Sequence, residues 1–179
     1  MAALSFVIEV DGFQHGAMEP FHVRCLAVAC GKTESTYTRF FDTTDLLGRS
    51  AEAIWTYRHQ TDYHGLPISS AGLPRELAST ALLHAIQGHL LQLLEVGNPS
   101  PNVLILWTKG GAKVQYLSSL LHGVVLPIPF LVRNLEEVGC PPARQLRQNV
   151  STTAIKARVL AEWLIDHLND HAGVLHSHD

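Results

Sequence analysis

A chain of 179 residues, 46% hydrophobic and 16% charged, is long enough to bury one sizeable core and too short to favour two domains. Its net charge of -3 gives no whole-molecule basic field, so any contact with nucleic acid needs a local patch. The odd set of three cysteines (Cys25, Cys30, Cys140), the lack of any apolar run near the roughly 18 residues of a membrane span, and Glu9 interrupting the apolar start argue against a disulfide framework, a membrane protein and a signal peptide; a cytoplasmic or nuclear protein that is not secreted is expected.

Ser5 to Val10 is β-branched and largely apolar and predicts a strand, closed by the turn signal Asp11-Gly12. Phe21 to Ala29, alternating around His22, Arg24 and Ala27, predicts a second strand, so the chain opens with a β-hairpin. A third short strand is expected over Ser35 to Phe41, and Asp42 to Ser50 carries loop and cap residues. Tyr57 to Pro74 holds His64-Gly65-Leu66-Pro67 and Gly72-Leu73-Pro74 and is expected to be a structured loop. From Arg75 to Val96 the residues Leu82, Ile86, Leu90, Leu93 and Leu94 recur at helical spacing, and Gly97-Asn98-Pro99 supplies the stop.

Val103 to Trp107 is a short apolar run between turn signals, the pattern of a strand buried on both faces of a sheet. Val114 to Leu121 predicts a helix entered through Gly110-Gly111. Val124 to Val132 is apolar, but Pro127 and Pro129 leave it at best an edge strand or an extended segment. Thr152 to Leu168 predicts a second long helix, with Ile155, Val159 and Trp163 on one stripe beside Leu160 and Leu164. The His-rich end is expected to be a flexible tail over 171–179, leaving 1–170 as one domain. Three strands followed by alternating helix and strand predict an α/β protein, a mixed β-sheet flanked by helices.

That order resembles the RNase H-like core, and local segments resemble the DEDDh 3′–5′ exonucleases of that class. Phe6 to Gly12 is similar to the family's first motif, a strand ending in two acidic residues separated by one, here Glu9 and Asp11 in swapped order. His64-Gly65-Leu66 resembles the His-Gly-Ile turn before the family's long helix. Val103 to Leu117 resembles the second motif, and reading Tyr116-Leu117 as its terminal pair puts Lys113 where the family has an aspartate. Ser151 to Trp163 resembles the last helix, which puts Ser151 at the family's histidine and Lys156 at its aspartate.

Two-metal hydrolysis of a phosphodiester needs several carboxylates converging on a pair of divalent cations about 4 Å apart. A lysine ammonium cannot ligate such a cation. The resemblance therefore implies a remnant site of Glu9, Asp11, Lys113, Ser151 and Lys156 with no intact catalytic set and no metal, in which each ammonium pairs with a carboxylate. Taken without the resemblance, Glu9-x-Asp11 reads as a solvated turn and Lys113 and Lys156 as helix-surface lysines.

Eleven histidines invite a zinc reading, and the chain also resembles, more faintly, the Maelstrom domain, an RNase H-like fold that carries a Glu-His-His-Cys zinc site. Against this, no Cys-x-x-Cys is present, and the turn-spaced pair His167 and His171 lies near the end. His84 and His89 on the long helix and His59 in the loop read as surface residues. No Gly-x-Ser-x-Gly elbow supports a serine hydrolase, and Lys109 to Lys113 lacks phosphate-loop spacing.

A basic strip could form from Lys109, Lys113, Arg133, Arg144, Arg147, Lys156 and Arg158, with Tyr116 or Trp107 stacking a single-stranded base. The alternative is a mixed solvated face broken by Glu136 and Glu137. The leading expectation is a catalytically inactive exonuclease-fold domain, needing no cofactor, that binds single-stranded RNA or a protein partner through nucleic-acid-binding residues Lys109, Lys113, Arg144, Arg147 and Arg158. Two alternatives stand beside it. One is an active exonuclease on single-stranded nucleic acid, with Mg²⁺ or Mn²⁺ held by Glu9, Asp11 and further carboxylates such as Asp62, Asp166 or Asp170. The other is a structural or oligomerising protein whose contact is the apolar segment Val124 to Leu131. The sequence sets no oligomeric state.

Overall fold

The computed structural model describes residues 3–175. Among them, five strands form one mixed sheet in the order β3-β2-β1-β4-β5. The first strand, β1 (Ala3–Phe13), is central and nearly all buried, as its run of Phe, Val and Ile requires. It pairs antiparallel with β2 (His22–Ala29), which pairs antiparallel with β3 (Thr36–Phe40). On its other side β1 pairs parallel with β4 (Val103–Thr108), and β4 pairs parallel with the edge strand β5 (Phe130–Asn134). Pro127 and Pro129 fall just before β5, where no ladder N–H is needed.

Alternation along β1 divides the core between two sheet faces. Phe6, Ile8 and Val10 point to the face covered by Leu82, Ala85 and Ile86 of helix α2 (Ala78–Glu95) and by Leu117 of helix α3 (Gly111–Leu120). Val7 points to the opposite face, where the long helix α5 (Thr153–Leu175) packs through Ala157, Leu160, Ala161 and Leu164. Ala27 and Ala29 on β2 lie under α5, and these small side chains let the helix sit close to the sheet. A short helix, α4 (Ala143–Leu146), precedes α5.

Several expectations are corrected. Tyr57 to His64 is not loop but the second half of helix α1 (Ala51–His64), capped at its start by the Ser50 hydroxyl accepting from Ala53 N–H at 3.2 Å. Gly65 ends it in the left-handed conformation, φ 72°, which glycine adopts without penalty. The helix is polar because it buries only Ala53, Tyr57 and His64, at the end of β1 where Phe13 meets Tyr57 and His64 edge-on. Only residues after it form a loop, held by Arg24, whose buried guanidinium donates to the carbonyls of Phe41, Pro67 and Ala71.

His89 is not a surface residue. It is fully buried, its ring lying between the Val28 carbonyl, 3.0 Å from Nε2, and the Thr33 hydroxyl, 2.9 Å from Nδ1. His84 is exposed on the same helix, and His59 is exposed on α1. The segment Val124 to Leu131 is less exposed than expected. Val124, Leu126, Ile128 and Phe130 pack on the core, while Val125 and Leu131 face solvent. The expected tail begins within α5, which continues to Leu175; residues 176–179 lie outside the described residues. The three cysteines are free thiols and buried, and no helix among the described residues is long and apolar enough to cross a membrane.

Arg158 fastens α5 to the β2–β3 turn. Its guanidinium donates to the carbonyls of Cys30 (2.8 Å), Thr33 (2.7 Å) and Ser35 and to the Thr36 hydroxyl (3.2 Å). Arg158→Ala is expected to lower unfolding stability by roughly 2–4 kcal/mol, since charge-assisted bonds are the stronger class. Urea denaturation checks this, and loss of less than about 1 kcal/mol would show that the turn holds without it.

Candidate functional site: an ion quartet under a groove

Near its C-terminal end β1 turns two carboxylates toward the α5 face. Glu9 and Asp11 are two residues apart, so they share a face of the strand, and both are buried. The ladder shifts register between Asp11 and Gly12. A Cβ at Gly12 would lie 2.2 Å from the His22 carbonyl oxygen, so only glycine permits this bulge, which ends the regular pairing beside Asp11.

Two helices each bring an ammonium to these acids. Lys113, in the first turn of α3, places Nζ 2.8 Å from Glu9 Oε2. Lys156, in the first turn of α5, places Nζ 2.7 and 2.5 Å from the two Asp11 oxygens and 3.9 Å from Glu9 Oε2. Thr153, one turn earlier on α5, donates its hydroxyl to Asp11 Oδ2 at 2.7 Å. Two negative and two positive groups thus close on one another.

Burial by itself would raise the Asp11 carboxyl. The Lys156 ammonium, with its hydrogen bond, and the further charge of Lys113 and bond from Thr153 outweigh that and hold the carboxyl below its ordinary value. Burial would likewise lower Lys113, but the charge and hydrogen bond of Glu9 outweigh it and keep the ammonium above its ordinary value. Both groups are ionised at neutral pH.

His64 sits at the edge of this cluster. Its Nε2 donates to the Gly12 carbonyl at 2.9 Å and its Nδ1 accepts from Leu66 N–H at 3.1 Å, which fixes one neutral tautomer. Burial pushes its protonation below the usual histidine range despite the nearby Asp11 charge. With both nitrogens engaged, it holds the α1 end to the bulge and is not free to take a proton from water.

Above the quartet opens a groove of about 780 Å³, within the range of ligand sites. Glu9, Asp11, Lys113, Ser151 and Lys156, the residues of the expected remnant site, all line it, as do Lys109 and Arg144 of the expected basic strip. Ser151 is exposed in the loop before α5, and the hydroxyl that reaches Asp11 is that of Thr153 instead. Lys109 donates to the Cys140 carbonyl at 2.5 Å. Arg147 is exposed but outside the groove lining, and Arg158 is drawn to the β2–β3 turn, so these two do not join the strip.

The expected stacking residues are also redirected. Trp107 is buried, with its indole N–H on the Ser5 hydroxyl, and Tyr116 packs against Phe21. The rings that do line the groove are Phe21, His64 and an exposed row on α1, Trp55, His59 and Tyr63. The four-residue spacing of that row was readable as one helix face, but the polar character of the segment masked the helix.

The residues present do not fit a pair of divalent cations, because two of the four groups at the centre are themselves cations and engage both carboxylates. Asp62, Asp166 and Asp170 are not among the groove residues. Among the described residues no three His, Cys, Asp or Glu side chains cluster as a metal site. The rings of His167 and His171 lie with centroids 4.1 Å apart, tilted at 43°. No family model matches the chain, and no curated protein matches it.

Asp11 is held below the value of 3.8 it takes when unfolded, so the unfolded chain takes up the proton first. Its contribution to stability is complete above that unfolded value and is lost as pH falls through the folded one. Asp11→Asn removes this contribution and leaves Lys156 without its closest partner. A loss of about 3 kcal/mol at pH 7 is expected, the low end for a broken buried pair because Lys156 reaches groove water. In urea titrations the gap between wild type and variant should narrow toward pH 2, and a gap independent of pH would contradict the pairing.

Proposed function

We propose that the protein is a catalytically inactive, exonuclease-like domain of the RNase H-like class whose groove binds single-stranded RNA without a metal ion. The observation that carries the reading is the ion quartet, in which Lys113 and Lys156 satisfy the two carboxylates that metal-dependent hydrolysis would require. The sheet order, with three antiparallel strands followed by two parallel ones, and the position of Glu9 and Asp11 on the central strand support the comparison with that class.

Hydrolysis lacks further parts. Water activation needs a base with an available lone pair, and the histidine nearest the quartet has both nitrogens engaged. Binding needs less. The quartet sums to zero formal charge, yet its two members on the solvent side are the ammoniums. The lysine side chains are 26% and 21% exposed, against 3% and 6% for Glu9 and Asp11. Lys109 and Arg144 line the same groove with one exposed acid, Glu136, so cations outnumber free carboxylates where a phosphodiester would enter.

The test is incubation of labelled single-stranded RNA with the protein in Mg²⁺, Mn²⁺ or EDTA, followed by both a denaturing gel and fluorescence anisotropy. Intact RNA and equal affinity with and without metal are expected, with affinity falling as salt rises. Lys109→Ala/Arg144→Ala should weaken binding several-fold for every sequence tried. Metal-dependent cleavage abolished by Glu9→Ala/Asp11→Ala would overturn the proposal in favour of an active nuclease.

A further inference from the structure

Large aromatic side chains are costly to leave in water. Trp55 is 63% exposed and Tyr63 72% exposed, although most rings in this chain are buried or half-buried. Neither is scattered at random. Trp55, His59 and Tyr63 recur every fourth residue on α1, a spacing that sets them along one helix face, and all three line the groove above the quartet. Trp55 and His59 touch edge-to-face, with ring centroids 3.9 Å apart and planes at 65°, so His59 braces the indole. The Arg144 guanidinium carbon lies 5.1 Å from the Tyr63 ring centroid, so a cation already sits on that ring.

We propose that this face of α1 is a base-stacking wall, with Trp55, braced by His59, and Tyr63 each receiving the flat face of an unpaired base, while Lys113 and Lys156 on the groove floor take the intervening phosphates. The proposal rests on the RNA-binding reading above and adds what part of the ligand each side of the groove holds. It also sets the ligand's form. The eight residues from Trp55 to Tyr63 span roughly 12 Å along the helix axis, against the 3.4 Å per-strand rise of stacked duplex bases. Bases that meet successive platforms must be splayed apart, which a single strand permits and a duplex does not. Every base has a π-face, so the wall is tolerant of sequence. An acidic peptide would satisfy the cations but has no use for the exposed rings of Trp55 and Tyr63.

Anisotropy measurements with wild type, Trp55→Ala, Tyr63→Ala and Trp55→Phe test this, using a mixed-sequence single-stranded RNA, the same RNA annealed to its complement, inorganic polyphosphate and polyglutamate. The single strand should bind at least about tenfold better than the duplex. Each alanine variant should lose about 5- to 100-fold, and Trp55→Phe should retain most of the affinity. Unchanged melting temperatures, expected for exposed positions, would separate lost stacking from misfolding. Alanine variants that bind the single strand as wild type does, or equal binding of RNA and polyphosphate, would overturn the stacking wall while leaving the RNA-binding reading intact. Failure of wild type to bind RNA, or preference for polyglutamate, would overturn both.

Discussion

Two carboxylates buried on the central strand of a sheet are a liability that the rest of the fold must answer. Desolvating a single ion costs several kcal/mol even after relaxation, and Glu9 and Asp11 lie side by side on one face of β1, where they also repel one another. Lys113 and Lys156 resolve both problems together, since each ammonium contacts an acid and Lys156 also lies 3.9 Å from Glu9. The answer comes from two separate helices, so a local charge requirement becomes a constraint on tertiary structure. Neither α3 nor α5 can move away from β1 without exposing an unpaired charge.

The surrounding features serve that placement. Gly12 allows the bulge beside Asp11, and the Gly12 carbonyl accepts from His64, which brings the end of α1 to the same point. Gly110, at φ 105°, turns the chain from β4 into α3 within three residues of Lys113. Along α5, Thr153 and Lys156 share the face that meets Asp11, while Arg158 on another face grips the β2–β3 turn. One helix is therefore pinned at two places by charged side chains whose partners lie on the same sheet. The groove above the quartet is bounded by elements that the quartet itself positions.

Much of the sheet and both long helices could be read from periodicity because apolar spacing reports which face is buried. The pairing of Lys113 and Lys156 with Glu9 and Asp11 was legible only through ordered motif resemblance, since no local signal marks a lysine as inward-pointing. What escaped was of a different kind. Helix α1 is anchored by its caps and by Tyr57 and His64, not by an apolar stripe, so its polar sequence looked like loop. His89 is polar but fully buried, which depends on the carbonyl and hydroxyl that meet it from 61 and 56 residues away in sequence. Thr153 and Ser151 differ by two residues, and only the start of the helix decides which hydroxyl reaches Asp11. Trp107 and Tyr116 could not be told from groove aromatics by residue type alone; packing buried Trp107, half-buried Tyr116 against the core and left Trp55 and Tyr63 outside.

The account turns on whether the ammoniums have made the acidic pair unavailable to divalent metal. Titration of Mn²⁺ into the protein at neutral pH, following the free-ion signal by electron paramagnetic resonance, tests this directly on wild type beside Lys113→Asp/Lys156→Asp and Asp11→Asn. The ion quartet predicts that wild type takes up no more Mn²⁺ than Asp11→Asn does, whereas the doubly substituted chain, with four carboxylates at the centre, binds it saturably. Stoichiometric uptake by wild type that Asp11→Asn abolishes would contradict the account and return the site to metal chemistry.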